Sequence, residues 1–98
     1  MAQWKIITIS SRGDIDSSLV DDAPTTGSLT KILGGEPFEI PYFIEYNRAT
    51  CVAYCNQESQ DPINFTATRL WRENLNVETK EPLIEKVRGS LVVVIKVK

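Results

Sequence analysis

The run LVVVIKVK at residues 91–98 has the most regular pattern of apolar and polar positions in the chain. In an extended strand its odd-numbered side chains, which are all apolar, share one face. Its even-numbered side chains are two valines followed by two lysines, and they share the other face. This pattern is typical of a central strand that runs to the rim of a sheet. We expect the other strongly apolar run, WKIITI at Trp4–Ile9, to pair beside it.

A short amphipathic helix is predicted where Leu29, Ile32 and Leu33 follow the i, i+3, i+4 spacing of one helix face. Thr26 or Ser28 lies at its start and can supply the N-cap oxygen. The stripe spans two turns, so the helix can cover only a small part of a sheet.

The stretch NFTATRLWREN at residues 64–74 predicts a second helix, of about three turns. Ala67, Leu70 and Trp71 form its apolar stripe, and Asn64 is a plausible N-cap. We therefore expect Trp71 to be buried against the sheet beside Ala67 and Leu70.

Gly34 and Gly35 directly follow the first helical stretch and precede a strand-like run. A phosphate-binding loop has its glycines before a helix, so that N–H groups at the helix start point at the anion. Here the order is reversed, and neither of the common glycine-rich nucleotide-binding patterns is present. Glycine just past the last periodic residue is instead a usual left-handed helix end. We predict that Gly34 or Gly35 has a positive φ and ends the helix.

The segments between these elements differ in their β character. Residues 12–26 are rich in Asp, Ser, Gly and Pro and predict a loop. Residues 38–46 and 48–54 are strand-like, and Pro41 indicates an edge, a bulge or a break between two strands. Residues 82–87 fit either one helical turn or a bent edge strand.

Ninety-eight residues supply one hydrophobic core. We expect a single α+β domain at residues 1–98, with a small mixed sheet of four or five strands and one or two short helices packed on one face. The 42% hydrophobic and 24% charged content is that of an ordinary soluble protein. No stretch approaches the ~18 apolar residues of a membrane span, and the first residues turn polar too soon for a signal peptide. We expect a cytoplasmic protein with no membrane partner.

The formal net charge of −2 makes a nucleic-acid partner unlikely, because nucleic-acid-binding domains are normally basic. The charge is uneven along the chain. Up to Asn47 there are three basic and seven acidic residues, a balance of −4; from Arg48 onward there are eight basic and six acidic residues, a balance of +2. If the fold separated these halves, one face could attract a partner. We favour the opposite arrangement, in which the halves interleave in one sheet.

The chain has no histidine, which excludes Ser-His-Asp chemistry and histidine acid–base catalysis. Cys51 and Cys55 are its two cysteines; four apart in a strand, they would lie about 13 Å from each other, too far for a disulfide. Without histidine, neither a zinc site nor a thiol nucleophile with its base is expected. We predict reduced thiols, no metal, no cofactor and no enzymatic activity. A pair of carboxylates acting as acid and base is the enzymatic alternative that stays open.

Arginine and aromatic residues form the most interesting candidate binding set. Its members are Arg48, Arg69, Arg72, Tyr42 and Tyr46. Arg69 and Arg72 are three residues apart and share one helix face. Such a pair beside aromatic rings could bind a phosphate, a carboxylate or a single-stranded base. The alternative, which we favour, is a buried tryptophan with solvated arginines.

Four blocks of the chain, taken in order and spacing, resemble the domain-of-unknown-function family 3846 of bacteria, phages and mobile elements. The blocks are WKIITI (4–9), SLTKILGGEPFEI (28–40), NFTATRLW (64–71) and RGSLVVVI (88–95). The loop at residues 12–26 is longer than the resemblance leads us to expect, and FIEYNRAT stands where it implies a short turn. The family has no assigned reaction, cofactor or catalytic residue, so none is carried over to this chain.

The resemblance implies an accessory protein of a phage, a plasmid or a prophage-bearing bacterium. We expect a small binding protein that acts on a host protein. The alternative function is binding of single-stranded nucleic acid or a phosphate ligand through Arg69, Arg72 and neighbouring aromatics. If residues 91–98 formed an exposed edge strand, we would expect a homodimer built by sheet extension.

Overall fold

The computed structural model describes residues 3–75 and 86–97 and confirms the α+β class. Its elements in chain order are β1 (Trp4–Ile9), β2 (Ile15–Val20), α1 (Thr26–Leu33), β3 (Phe38–Glu39), β4 (Glu45–Tyr46), β5 (Ala49–Thr50), β6 (Val52–Cys55), α2 (Phe65–Leu75) and β7 (Leu91–Lys96). Five strands form one sheet in the order β2-β1-β7-β6-β3, and β4 pairs with β5 in a second sheet. Within these residues every pairing of these strands is antiparallel, rather than mixed as expected.

The strand β7 lies at the centre of the main sheet, as its two apolar faces predict. It pairs with β1 on one side and with β6 on the other. Leu91, Val92 and Val93 are completely buried, and Lys96 is exposed at the end of the strand. The predicted pairing of Trp4–Ile9 with this strand is confirmed.

The sheet separates two hydrophobic clusters, one on each face. One cluster joins Trp71 and Leu75 of α2 to odd-numbered residues of β1 and β7. The other joins Leu29 and Leu33 of α1 to Ile6 and to even-numbered residues of β7. The expectation that the helices pack on one face is therefore wrong. Because β7 carries apolar side chains on both faces, both need cover, and α1 and α2 lie on opposite sides of the sheet.

The prediction of a loop over residues 12–26 is also wrong, because β2 lies within it. All six residues of β2 pair with β1, from Val20 opposite Trp4 to Ile15 opposite Ile9. The turn between the strands is closed by a hydrogen bond from the Ser10 N–H to the Asp14 carbonyl, with an N···O distance of 2.9 Å. All six β2 residues are exposed, so the strand lacks the alternation of buried and exposed positions by which strands are recognised.

The helix α1 is capped at both ends by local interactions. Thr25, rather than Thr26 or Ser28, is the N-cap: its Oγ1 accepts from the Ser28 N–H, and the Ser28 Oγ accepts from the Thr25 N–H. Gly34 has φ 75° and ends the helix in the left-handed conformation, which confirms the prediction for the glycine pair.

Asn64 is completely buried and connects α2 to the centre of the sheet. Its Oδ1 accepts from the Ala67 N–H at 3.0 Å, which confirms the predicted N-cap. Its Nδ2 donates to the carbonyls of Ile9 and Gly89, both at 2.9 Å. One side chain therefore joins the start of α2, the end of β1 and the segment before β7.

The two strand-like stretches of the middle region each divide into two strands. Pro41 lies between β3 and β4, so the break between two strands is the correct interpretation of this residue. The second stretch becomes β5 and β6. The prediction for residues 82–87 lies largely outside the described residues.

Candidate functional site

Two of the three arginines in the predicted set lie on the outer surface of α2. Arg69 and Arg72 are both exposed. The Nε atom of Arg69 is 3.9 Å from a carboxylate oxygen of Glu73 one turn away. An exposed pair of this kind contributes only about 0.3–0.5 kcal/mol, but it places a negative charge beside the arginine.

Trp71 does not join these arginines at the surface. Its side chain is completely buried, and its Nε1–H donates to the Pro41 carbonyl at 2.9 Å. The prediction of a core tryptophan is confirmed, with Ala67 buried and Leu70 packed against the same cluster. The indole is therefore not accessible as a platform for stacking a base.

The other members of the set come from the segment around the β4–β5 hairpin. Tyr46 is half-buried, whereas Tyr42 and Arg48 are exposed. Asn47 and Arg48 are the two turn residues of the hairpin, with φ 50° and 68°, and Tyr42 has φ 64°. Left-handed conformations at both turn residues match the two-residue turns that fit the twist of paired strands. Arg48 therefore lies at the tip of this hairpin.

Asn74 fastens the hairpin to α2. Its Oδ1 accepts from the N–H groups of Ile44 and Glu45 at 3.1 and 2.9 Å. Its Nδ2 donates to the carbonyls of Glu45 and Leu70 at 3.0 and 2.9 Å. No sequence pattern singles Asn74 out, because its partners on the hairpin are about thirty positions away along the chain.

A cavity of about 260 Å³ lies between the hairpin and α2. Tyr46 lines it, so the structure brings one predicted aromatic residue to a concave surface. Glu45 and Glu73 line it as well, and sequence reasoning did not place them there. The residues that line it do not include the other members of the predicted set, which are Arg48, Arg69, Arg72 and Tyr42. The two carboxylates oppose the binding of an anionic ligand.

The glycine pair borders a larger cavity, of about 490 Å³, whose lining includes Glu36 and Glu58. These two carboxylates would repel a phosphate group. Gly35 has a steric role, because a Cβ at this position would lie 2.5 Å from the Nδ2 of Asn56. A larger residue at position 35 would therefore displace the side chain of Asn56, in the loop after β6.

The two cysteines are free and buried in and beside β6. Burial raises the pKa of Cys51 to about 11, with a further contribution from the negative charge of Glu45. Burial also raises the pKa of Cys55 to about 11. Both thiols are protonated at neutral pH, and a protonated thiol is a poor nucleophile.

The free edge of the main sheet is formed by β2. Within residues 3–75 and 86–97, no strand pairs with the side of β2 that faces away from β1. The opposite edge, formed by β3, is only two residues long, whereas β2 is six residues long. Sheet edges are commonly protected by proline, by charged side chains or by a bulge. The strand β2 has no proline or lysine, and Asp16 is its one charged residue.

The hydrogen bond between Ser10 and Asp14 shows which backbone groups point away from β1. In an antiparallel pair, hydrogen-bonded and non-hydrogen-bonded positions alternate. Asp14 is bonded to the β1 side. It follows that Ile15, Ser17 and Leu19 direct their N–H and C=O groups to the free edge.

The side chains of β2 are unusual for an exposed strand. Ile15 and Leu19 are 55% and 60% exposed, and they share the face of the sheet on which α2 packs. Four aspartates, Asp14, Asp16, Asp21 and Asp22, lie within or directly beside the strand, and all are exposed. Lys5 on the paired strand and Arg12 in the turn compensate part of this charge. The two halves of the chain interleave where β1 pairs with β7, but β2 keeps its acidic residues at one edge.

Among the described residues there is no group of His, Cys, Asp and Glu side chains arranged to hold a metal ion. No helix in this part of the chain is long and apolar enough to cross a membrane. Comparison with family models, with curated proteins and with solved structures finds no match. The resemblance to the domain-of-unknown-function family 3846 stays a prediction.

Proposed function

We propose that this chain is a binding protein that captures an extended segment of another protein along the free edge of β2. The observation that carries the proposal is a six-residue edge strand with two exposed apolar side chains and outward backbone groups that pair with no other strand in the described part of the chain. In strand addition, backbone hydrogen bonds supply affinity, and side-chain contacts on alternate positions supply specificity. The edge of β2 offers both kinds of contact.

The added strand would exchange hydrogen bonds with three residues of β2. Ile15, Ser17 and Leu19 each present one N–H donor and one C=O acceptor, so six bonds can form. Each contributes about 0.5–1.5 kcal/mol net. The apolar side chains of Ile15 and Leu19 would lose their contact with water against the new strand, which adds to the binding free energy.

The biological setting of this proposal follows from the resemblance. The partner is a host protein, and the chain is a cytoplasmic accessory of a phage or another mobile element without enzymatic activity. Two protonated, buried thiols support the absence of cysteine chemistry. Anion binding through Arg69, Arg72 and the neighbouring aromatics stays an alternative, weakened by the carboxylates of Glu45 and Glu73.

The test uses a phage-displayed random peptide library, selected on the wild-type protein, and two variants at one position. Ser17→Pro removes an outward N–H and leaves the bonds to β1 in place, because proline is tolerated where the N–H faces solvent. Ser17→Thr keeps the N–H and is the matched control. We expect selected peptides to bind Ser17→Pro about two- to tenfold more weakly than wild type, because one hydrogen bond is lost, and to bind Ser17→Thr nearly normally.

Amide hydrogen exchange gives a second signature of strand addition. A bound peptide should slow the exchange of Ile15, Ser17 and Leu19, whose N–H groups point away from β1 and pair with no strand among residues 3–75 and 86–97. The amides of Asp16 and Ser18 should already exchange slowly, because they are bonded to β1. Peptides that bind wild type and Ser17→Pro equally, or that leave the exchange of these three amides unchanged, would refute the proposal.

A further inference from the structure

A cavity of about 360 Å³ lies directly beside the free edge, between β2 and α1. Ser18 and Val20 line it from β2, and Ser28 and Ile32 line it from α1. Ile32 is 42% exposed, although it belongs to the apolar stripe that the sequence pattern predicts for this helix. The cavity is therefore a partly apolar space on the α1 face of the sheet, next to the proposed binding edge.

Ser18 is the residue through which an added strand reaches this cavity. Its backbone groups point to β1, so in an added antiparallel pair it occupies a non-hydrogen-bonded position. Side chains at such positions approach most closely, with Cα atoms about 4.5 Å apart. Because the side chain of Ser18 is small, the partner residue opposite it has room to lie over Ser18 against Val20 and Ile32.

The charged residue that lines the cavity is an aspartate. Asp16 lies on the same face of β2 as Ser18, and Asp22 lines the cavity itself. Lys5, the paired basic residue, lies on the opposite face of the sheet, beside Leu19. A second copy of this chain would add four more aspartates to the four already present, whereas a basic segment would be attracted to them.

Resting on the proposed function, we infer that the partner segment is basic and carries an aliphatic side chain, opposite Ser18, that enters the cavity between β2 and α1. The backbone groups of β2 bind the segment by hydrogen bonds, and the cavity accepts one apolar side chain of the segment. The aspartates favour basic residues beside that apolar residue. The partner is an extended, lysine- or arginine-rich segment with apolar residues at alternate positions.

The test of the aliphatic residue uses the peptides whose binding Ser17→Pro weakens. In each peptide, replacing one particular aliphatic residue by Ala should lower the affinity about ten- to hundredfold, as expected when a buried aliphatic side chain is lost. Ser18→Leu fills the cavity and should abolish this difference. Ser17→Leu adds the same side chain to the opposite face and should preserve it. Peptides in which no position depends on residue 18 would refute a role for the cavity.

The test of the charge compares two double variants with the same change in net charge. Asp16→Asn with Asp22→Asn should weaken the same peptides about three- to tenfold, in proportion to two exposed ion pairs. Glu36→Gln with Glu58→Gln removes two carboxylates near the opposite edge of the sheet and should leave affinity unchanged. Added salt should weaken binding to wild type.

The outcomes separate this inference from the proposed function. If no selected peptide depends on the backbone edge at Ser17, the proposed function is wrong. If peptides depend on that edge but are acidic or insensitive to salt, the edge binds strands and the inferred charge of the partner is wrong. Concentration-dependent dimers in analytical ultracentrifugation that Ser17→Pro abolishes would identify a second copy as the occupant and also overturn the inference.

Discussion

Replacing Asn64 should destabilise the fold more than any other exchange of one polar side chain discussed above. Its amide serves as the N-cap of α2 and binds the carbonyls of Ile9 and Gly89. The residue is completely buried, so water cannot replace these bonds when Asn64→Ala removes them. The fold would then contain two carbonyl oxygens and one N–H group that have each lost a hydrogen bond.

The expected loss can be calculated from these contacts. Loss of an N-cap costs about 1 kcal/mol, and each buried polar group left without its partner costs about 1–3 kcal/mol. The total is about 3–7 kcal/mol, against a free energy of unfolding of roughly 5–15 kcal/mol for a domain of this size. At about 4–8 °C per kcal/mol, the melting temperature should fall by more than about 12 °C.

Asn64→Asp separates the role of the amide oxygen, which caps α2, from that of the NH₂ group, which donates to the two carbonyls. A carboxylate can still cap α2, but it directs an oxygen at two carbonyl oxygens in place of the NH₂ donor. Burial without a donor raises the pKa of the introduced carboxyl above its usual value of about 4. The folded state then binds the proton more tightly than the unfolded state. The destabilisation should therefore grow as pH rises above about 4 and diminish at lower pH.

The control is Asn74→Ala, which removes four side-chain hydrogen bonds, one more than Asn64→Ala, but from a half-buried residue between the β4–β5 hairpin and α2. Water can replace these bonds, and we expect a loss of only about 1 kcal/mol. Urea unfolding of the three variants, followed by far-UV circular dichroism at pH 4.5 and pH 7, measures both effects. An Asn64→Ala protein as stable as Asn74→Ala, or an Asn64→Asp protein with no dependence on pH, would refute the reasoning.

Two further predictions concern the glycine that ends α1 and the cysteines beside the sheet. Gly34→Ala should lower the free energy of unfolding by about 1 kcal/mol in urea, because a φ of 75° strains any residue with a side chain. No atom lies within 4 Å of the added methyl group, so the loss comes from the backbone alone, and an unchanged urea midpoint would contradict it. The raised pKa of Cys51 and Cys55 means that the unfolded state releases these protons first, so stability should fall as pH rises from 9 to about 11. Cys55→Ala should show a smaller fall over this range in thermal unfolding, and an identical profile would contradict the assignment.

The strongly patterned parts of the fold were predictable from the sequence. The central position of β7, the burial of Trp71, the cap at Asn64 and the glycine that ends α1 all follow from local patterns of side chains. Each depends on residues that are close together in the chain or on the alternation of apolar positions. The position of α1 and α2 on opposite faces was already implied by the valines on both faces of β7, but the sequence interpretation did not use it.

The strand β2 and the proposed binding edge could not be recognised in the same way. Because all six residues of β2 are exposed, the strand has no alternation of buried and exposed positions, and the sequence IDSSLV resembles a loop in composition. One usable signal was the turn SRGD, where Gly13 has φ 90°, between two runs that both contain isoleucine. The contact of Asn74 with the hairpin joins residues far apart in the chain, and local patterns do not report such contacts.

The central position of β7 has a consequence for how the protein is made. Among the strands of the main sheet, β7 is the last in chain order, yet it alone joins the β1–β2 hairpin to β6 and β3. During synthesis the β1–β2 hairpin and the β3–β6 pair therefore cannot join in one sheet until residues 91–96 have left the ribosome. The apolar strand β1 carries an unsatisfied edge throughout this interval, which favours contact with a chaperone or with another nascent chain. Completion of the sheet is therefore a late folding step that depends on contacts between residues far apart in the chain.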